Sequence, residues 1–109
     1  MRIIVNSIVW NIIFVPSNSK ELLRSDNVLT LGVTDSNVNC VFLSNQLHGE
    51  LLYKVLCHEL CHVYIFSYGI YFLMEEEERL AEFISMFGKN IINDTNILLN
   101  QIQRKYDII

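Results

Sequence analysis

The chain has 109 residues, 51% of them apolar and 18% charged, with a formal net charge of -4 and a pI near 5.2. Length and composition fit one globular domain, residues 1–109, with a modest core, and exclude a disordered chain. The eight Lys and Arg are scattered, which argues against a nucleic-acid or anionic-membrane surface, because phosphate binding needs clustered cations.

In chain order, "MRIIVNSIVWNIIFVPS" has one basic residue, is interrupted by Asn6, Ser7 and Asn11, and lacks a small-residue cleavage site. A strand or hairpin is expected there, not a leader peptide. Ile8, Trp10, Ile12 and Phe14 alternate with other residues and predict one strand face. Pro16-Ser17-Asn18-Ser19 ends that strand, and Asn18 with Glu21 predicts a capped short helix over Lys20 to Arg24. Asp35-Ser36-Asn37 sits between two β-rich runs and predicts a hairpin of Val28 to Thr34 with Asn39 to Ser44.

The second half reads as helical. From Leu47 to Phe66 there is no Pro, and Leu51, Leu52, Val55, Leu56, Leu60 and Val63 cover much of a helix circumference, the pattern of a buried central helix. Gly69 supplies the stop. A second helix is expected from Glu75, with Leu80, Phe83, Ile84 and Phe87 as its core face and Gly88 as a point of bending or breakage. Ile91, Thr95, Leu98, Ile102 and Tyr106 extend its stripe. The longest charge-free apolar run, Leu60 to Met74, is shorter than the roughly 18 residues of a spanning helix. Three cysteines, Cys40, Cys57 and Cys61, form an odd set within apolar runs and read as reduced thiols in a cytoplasmic protein.

The chemistry concentrates in Cys57-His58-Glu59-Leu60-Cys61-His62. Residues i and i+4 of a helix share a face, so His58 and His62 can reach one metal ion. Glu59 is rotated by about 100° and sits beside the ion, where it can take a proton from the attacking water. A catalytic zinc needs three protein ligands, so the third must come from another element. Glu78 and Glu82, four apart on the acidic helix, are the candidates. Glu78 is expected to be the ligand and Glu82 the carboxylate that accepts a hydrogen bond from the free ring nitrogen of a liganding His. The reverse assignment stays open, and Glu75 is a weaker candidate. Cys57 and Cys61 share a different face and are expected to pack as small apolar groups. Tyr64, Tyr68, Tyr71 and His48 are near enough in sequence to be oxyanion donors, and none is assigned.

His58-Glu59-Leu60-Cys61-His62, followed by Glu78-Arg79-Leu80-Ala81-Glu82-Phe83, resembles the compact zincin metallopeptidases of the ImmA/IrrE type, including small prophage and mobile-element proteins. The likeness spans about residues 8 to 92. It implies His58 and His62 as paired zinc ligands, Glu59 as general base and Glu78 as the completing glutamate. It also implies a peptide or protein substrate such as a helix-turn-helix repressor. The family's usual Leu-Leu-Met-Pro stretch after the second helix is replaced by "FISMFGKNII", and the chain shows no DNA-binding or sensor domain of its own. The expected fold is α+β, a small, mainly antiparallel sheet packed on the motif helix and the acidic helix. The expected function is zinc-dependent peptide hydrolysis, with Zn2+ as cofactor. The alternative is a non-catalytic module of the same shell that sequesters a regulator.

Overall fold

The computed structural model describes residues 1–106, the side chain of Tyr106 excepted; Tyr106 as a member of the apolar stripe therefore lies outside the described side chains. Strands β1 (Arg2–Val5) and β2 (Ile8–Val15) form an antiparallel hairpin closed by Asn6 and Ser7, whose φ angles are 48° and 65°. Two successive left-handed residues match the twist of the flanking strands, so the N-terminal apolar segment is a hairpin. Asn6 Nδ2 donates to the Ser67 carbonyl at 2.8 Å, tying this hairpin to the end of the first helix. A 3-10 turn over Lys20–Leu22 replaces the longer helix expected there. Its entry residue is Ser19, whose hydroxyl donates to Glu21; Asn18 plays no such part.

Strands β3 (Gly32–Asp35) and β4 (Cys40–Ser44) form the second hairpin, with Asn39 at φ 51° in its turn. The sheet order is β1-β2-β4-β3, and β2 runs parallel to β4 with Asn11 beside Cys40 and Val15 beside Ser44. The α+β class holds, and the sheet is mainly antiparallel as expected, with the pairing of β2 and β4 its parallel exception among the described strands. Turn residues specify each hairpin locally. The union of the two hairpins is decided by burial, and β4, with Cys40, Val41, Leu43 and Ser44 all buried, takes a central place.

Helix α1 (Gly49–Ser67) lays one face on the sheet. Trp10, Ile12, Val41, Leu43 and Val63 are buried together, with Leu52, Val55, Leu56 and Leu60 packed against them. Helix α2 (Met74–Tyr106) packs on α1 rather than on the sheet. Phe14 lies outside the core, although the alternation of β2 placed it with Trp10 and Ile12; it is 44% exposed near the strand end. Leu51, Tyr64 and Phe66 of α1 are also about half exposed, because α1 is covered on two sides and not all round. At its end, Gly69 at φ 63° accepts the left-handed position; its N–H donates to Phe66 O and the Ile70 N–H to Ile65 O, a Schellman closure.

Helix α2 corrects two expectations. It continues unbroken through Gly88, since a lone glycine costs only about 1 kcal/mol and can keep helical dihedrals. Its buried residues are Ala81 and Ser85, whereas Phe83 and Phe87 are about half exposed. The close approach of α1 favours the small side chains and leaves the aromatic flank outside. Among the described residues no helix is long and apolar enough to cross a membrane.

Gly32 sets how closely α1 meets the sheet. A Cβ there would lie 2.9 Å from Val55 Cγ1, 3.1 Å from Glu59 Cγ and 3.2 Å from Leu43 Cδ2. Gly32→Ala is therefore predicted to destabilise by about 1–3 kcal/mol through overpacking, measured by urea unfolding. An unchanged midpoint would show that α1 yields freely at this point.

Candidate metal centre

The site is built on α1, which packs against α2 on one flank and β3 on another. The i, i+4 spacing projects His58 and His62 from one flank of α1, their rings 5.1 Å apart. Helix α2 returns alongside and brings its first two turns to that flank. Glu78 lies between the two imidazoles, with Oε2 3.1 Å from His58 Nε2 and Oε1 3.1 Å from His62 Nε2. One ligand atom from each of His58, His62 and Glu78 lies within 4.8 Å of the others.

The outer ring nitrogens also face carboxylates. His58 Nδ1 is 3.5 Å from Glu82 Oε2, the outer limit of hydrogen-bond length. His62 Nδ1 is hydrogen-bonded to Glu77, a residue the sequence reading did not single out. Glu77 and Glu78 are successive on a helix and so diverge by about 100°, which lets one reach between the histidines and the other reach behind His62. Such outer carboxylates fix the tautomer and orientation of a liganding imidazole. Glu75 makes no ion pair or hydrogen bond within this group. Glu76 accepts from the Leu73 N–H at 3.1 Å and serves the start of α2.

Glu59 points toward β3. Its side chain is 7% exposed, and Thr34 Oγ1 donates to its Oε1 at 2.8 Å. Burial pushes its carboxyl above the ordinary glutamate range, opposed by the Thr34 hydroxyl and by the charges of His62 and His58. Thr34 is the second residue that sequence reasoning missed. A signal existed in Gly32, since glycine inside a strand often marks a close backbone approach; what approaches is α1 with Glu59.

The raised Glu59 value has a stability consequence. A carboxyl whose folded pKa exceeds its unfolded value contributes most below the ordinary value of about 4.3 and loses that contribution as pH rises through the folded value. Metal-free Glu59→Gln is thus predicted to melt higher than metal-free wild type at neutral pH, with the gap closing toward pH of about 4. Thermal melts in chelator across pH measure this. A lower melting point for the variant at neutral pH contradicts it.

Among the described residues no cysteine belongs to the group of possible ligands. Cys57 Sγ faces the Ile84 carbonyl at 3.8 Å, Cys40 Sγ faces Val38 O at 3.4 Å, and all three thiols are free. Burial raises Cys57 and Cys61 above the usual thiol value, which disfavours the thiolate a metal would need. His48 precedes the first residue of α1 and contacts Gln46 O at 3.2 Å. Tyr64 and Tyr68 stack on each other with centroids 6.2 Å apart.

The donor set suits zinc. Two imidazoles and one carboxylate make a three-ligand site with a position left open. Comparison of the chain with protein-family models, curated proteins and solved structures finds no match.

Proposed function

We propose that the protein is a zinc-dependent peptidase with a zincin-like arrangement of α1 and α2. The observation that carries this reading is the convergence of His58, His62 and Glu78 on one point, with the buried carboxylate of Glu59 one residue along the same helix. In this reading His58, His62 and Glu78 hold the ion. Glu77 and Glu82 orient the two imidazoles through their Nδ1 atoms. A zinc ion held there supplies Lewis acidity toward the substrate carbonyl and brings a water toward deprotonation near neutral pH.

Glu59 is the general base. Thr34 engages Oε1, so the other oxygen is left to accept the proton and pass it to the leaving amine. A carboxyl raised by burial holds that proton more readily than an ordinary glutamate. Edge strand β3 carries Thr34 and so borders the site; an extended peptide added to this edge would bring its carbonyls past Glu59. The substrate class is a protein or peptide, with a helix-turn-helix repressor of a phage or mobile element as the first to try. The three free thiols suit a reducing cytoplasm.

Metal analysis of purified protein tests the site. Wild type is expected to carry near-stoichiometric zinc. Glu78→Gln is expected to lose most of it, and Glu82→Gln to weaken retention by about 10–100-fold. No zinc in wild type refutes the metal reading, and the opposite order for Glu78→Gln and Glu82→Gln refutes the ligand assignment. Zinc in wild type with no Glu59-dependent cleavage of co-expressed repressors favours the sequestering module.

A further inference from the structure

The carboxylate–histidine centre has two unlike ends. Helices α1 and α2 run antiparallel: Cys57 lies against Ile84, and Lys89 Nζ sits 5.1 Å above the Tyr53 ring. Four residues turn a helix by about 400°, so side chains four apart keep nearly the same flank. Phe66 therefore follows His62 along α1, and Met74 precedes Glu78 along α2. Because the helices are antiparallel, these two side chains stand at the same end of the centre. At the other end the same step leads from His58 back to Lys54 and from Glu78 on to Glu82. The first end is apolar, and the second carries a charge on each helix.

Both residues of the apolar end are held from behind and open in front. The Phe66 ring lies against Trp10, with centroids 6.4 Å and planes 30° apart, yet Phe66 is 45% exposed. Met74 is 82% exposed on a backbone fixed by the first turn of α2. There the Glu77 N–H donates to Leu73 O at 3.0 Å, and Glu76 accepts from the Leu73 N–H at 3.1 Å. The connection between the helices, residues 68–73, contains no charged residue, and Ile70, Tyr71 and Leu73 are more than half exposed. Single exposed apolar residues are ordinary on a protein surface. A run of them at one end of a polar centre marks a binding surface. An aromatic ring backed by the core, facing a flexible thioether, suits a large apolar side chain of variable shape.

We propose that Phe66 and Met74 form the specificity site of the peptidase and receive a large apolar side chain of the substrate. This inference rests on the peptidase reading and names its substrate class: peptides with Leu, Phe, Met or a similar residue beside the scissile bond. The occupant follows from position. A peptide whose carbonyl meets an ion at His58 and His62 must run on past both ends of the centre. One helical turn is about 5.4 Å and one extended residue about 3.3 Å. Phe66 and Met74 are therefore reached by the first or second substrate residue from the scissile bond, on one side of it only. The other side passes Lys54 and Glu82, where polar residues fit. In a folded regulator a large apolar residue is accessible only in a linker or a locally opened segment, so cleavage is directed there.

Peptide binding to zinc-loaded Glu59→Gln protein tests this by calorimetry, without cleavage. The probes are short, tryptophan-free alanine–serine peptides with one central Leu, Phe, Ser or Glu. The Leu and Phe peptides are expected to bind about tenfold or more tighter than the Ser peptide. They are also expected to shift the emission of Trp10, the single tryptophan of the chain, which lies behind Phe66. Met74→Ser alters an exposed position, leaves the core intact and is expected to lose most of the preference. Ile97→Ser, at a 55% exposed position elsewhere on α2, is expected to keep it. Cleavage of a proteome-derived peptide library by wild type is expected to enrich large apolar residues on one side of the cut. Equal affinity for the Leu, Phe and Ser peptides overturns the inference, as does a preference that Met74→Ser leaves intact. Wild-type cleavage without apolar enrichment overturns it too and leaves the peptidase standing. Apolar-selective binding that Met74→Ser abolishes, with no cleavage by wild type, supports the recognition site and refutes the peptidase.

Discussion

Replacing Glu59 with Gln is predicted to lower peptide hydrolysis by about two to four orders of magnitude without removing zinc. Gln keeps the length of the side chain and its carbonyl oxygen can still accept from the Thr34 hydroxyl, which stands 2.8 Å from Glu59 Oε1. It cannot accept the proton of the attacking water. His58, His62 and Glu78 are untouched, so the variant separates proton transfer from metal binding. Thr34→Val is the companion change. It removes the hydroxyl that holds Oε1 in place, and is expected to cost less than the loss of the base itself. Single-turnover cleavage together with zinc content provides the measurement. Retention of full activity by Glu59→Gln would remove Glu59 from the mechanism, whatever the metal content.

The largest predicted effect on stability is at Trp10. Trp10→Ala is expected to destabilise by about 3–5 kcal/mol, a large share of the roughly 5–15 kcal/mol that holds a domain of ordinary stability together. Trp10 is 1% exposed at the centre of the sheet face that α1 covers, and its Nε1–H donates to Ser67 Oγ at 2.9 Å. The mutation opens a cavity and leaves a buried serine hydroxyl without its donor. Trp10→Phe keeps most of the ring volume and is expected to cost about 1–3 kcal/mol from the lost hydrogen bond. Urea unfolding of both variants measures the difference. If Trp10→Phe is as damaging as Trp10→Ala, the indole hydrogen bond outweighs the packing.

Local signals account for most of the elements. Asn6 and Ser7 interrupt the first apolar run and form its hairpin turn. Gly69 ends α1, and the apolar coverage of residues 51–63 marks a central helix, although α1 is covered on two sides and not all round. The misplaced core face of α2 has a single cause. Phe83 and Phe87 have the spacing of a core face but stand half exposed, because α1 approaches α2 closely on the neighbouring flank of Ala81 and Ser85. Spacing identifies an apolar arc about half the helix circumference wide; only the position of α1 decides which part of that arc is covered.

The sequence by itself determined the α+β class, the placing of His58, Glu59 and His62 on one helix, and the two candidates for a third carboxylate, because each follows from periodicity or turn chemistry within a few residues. Tertiary structure decided the parallel pairing of β2 with β4, the position of Glu78 between the imidazoles, the seat of Glu77 behind His62 and the hydroxyl of Thr34 on Glu59. These depend on where the chain returns to itself, and that is governed by the burial of faces from distant segments. Thr34 reaches Glu59 only after α1 has docked on the sheet, and Glu78 reaches His58 and His62 only after α2 has folded back along α1.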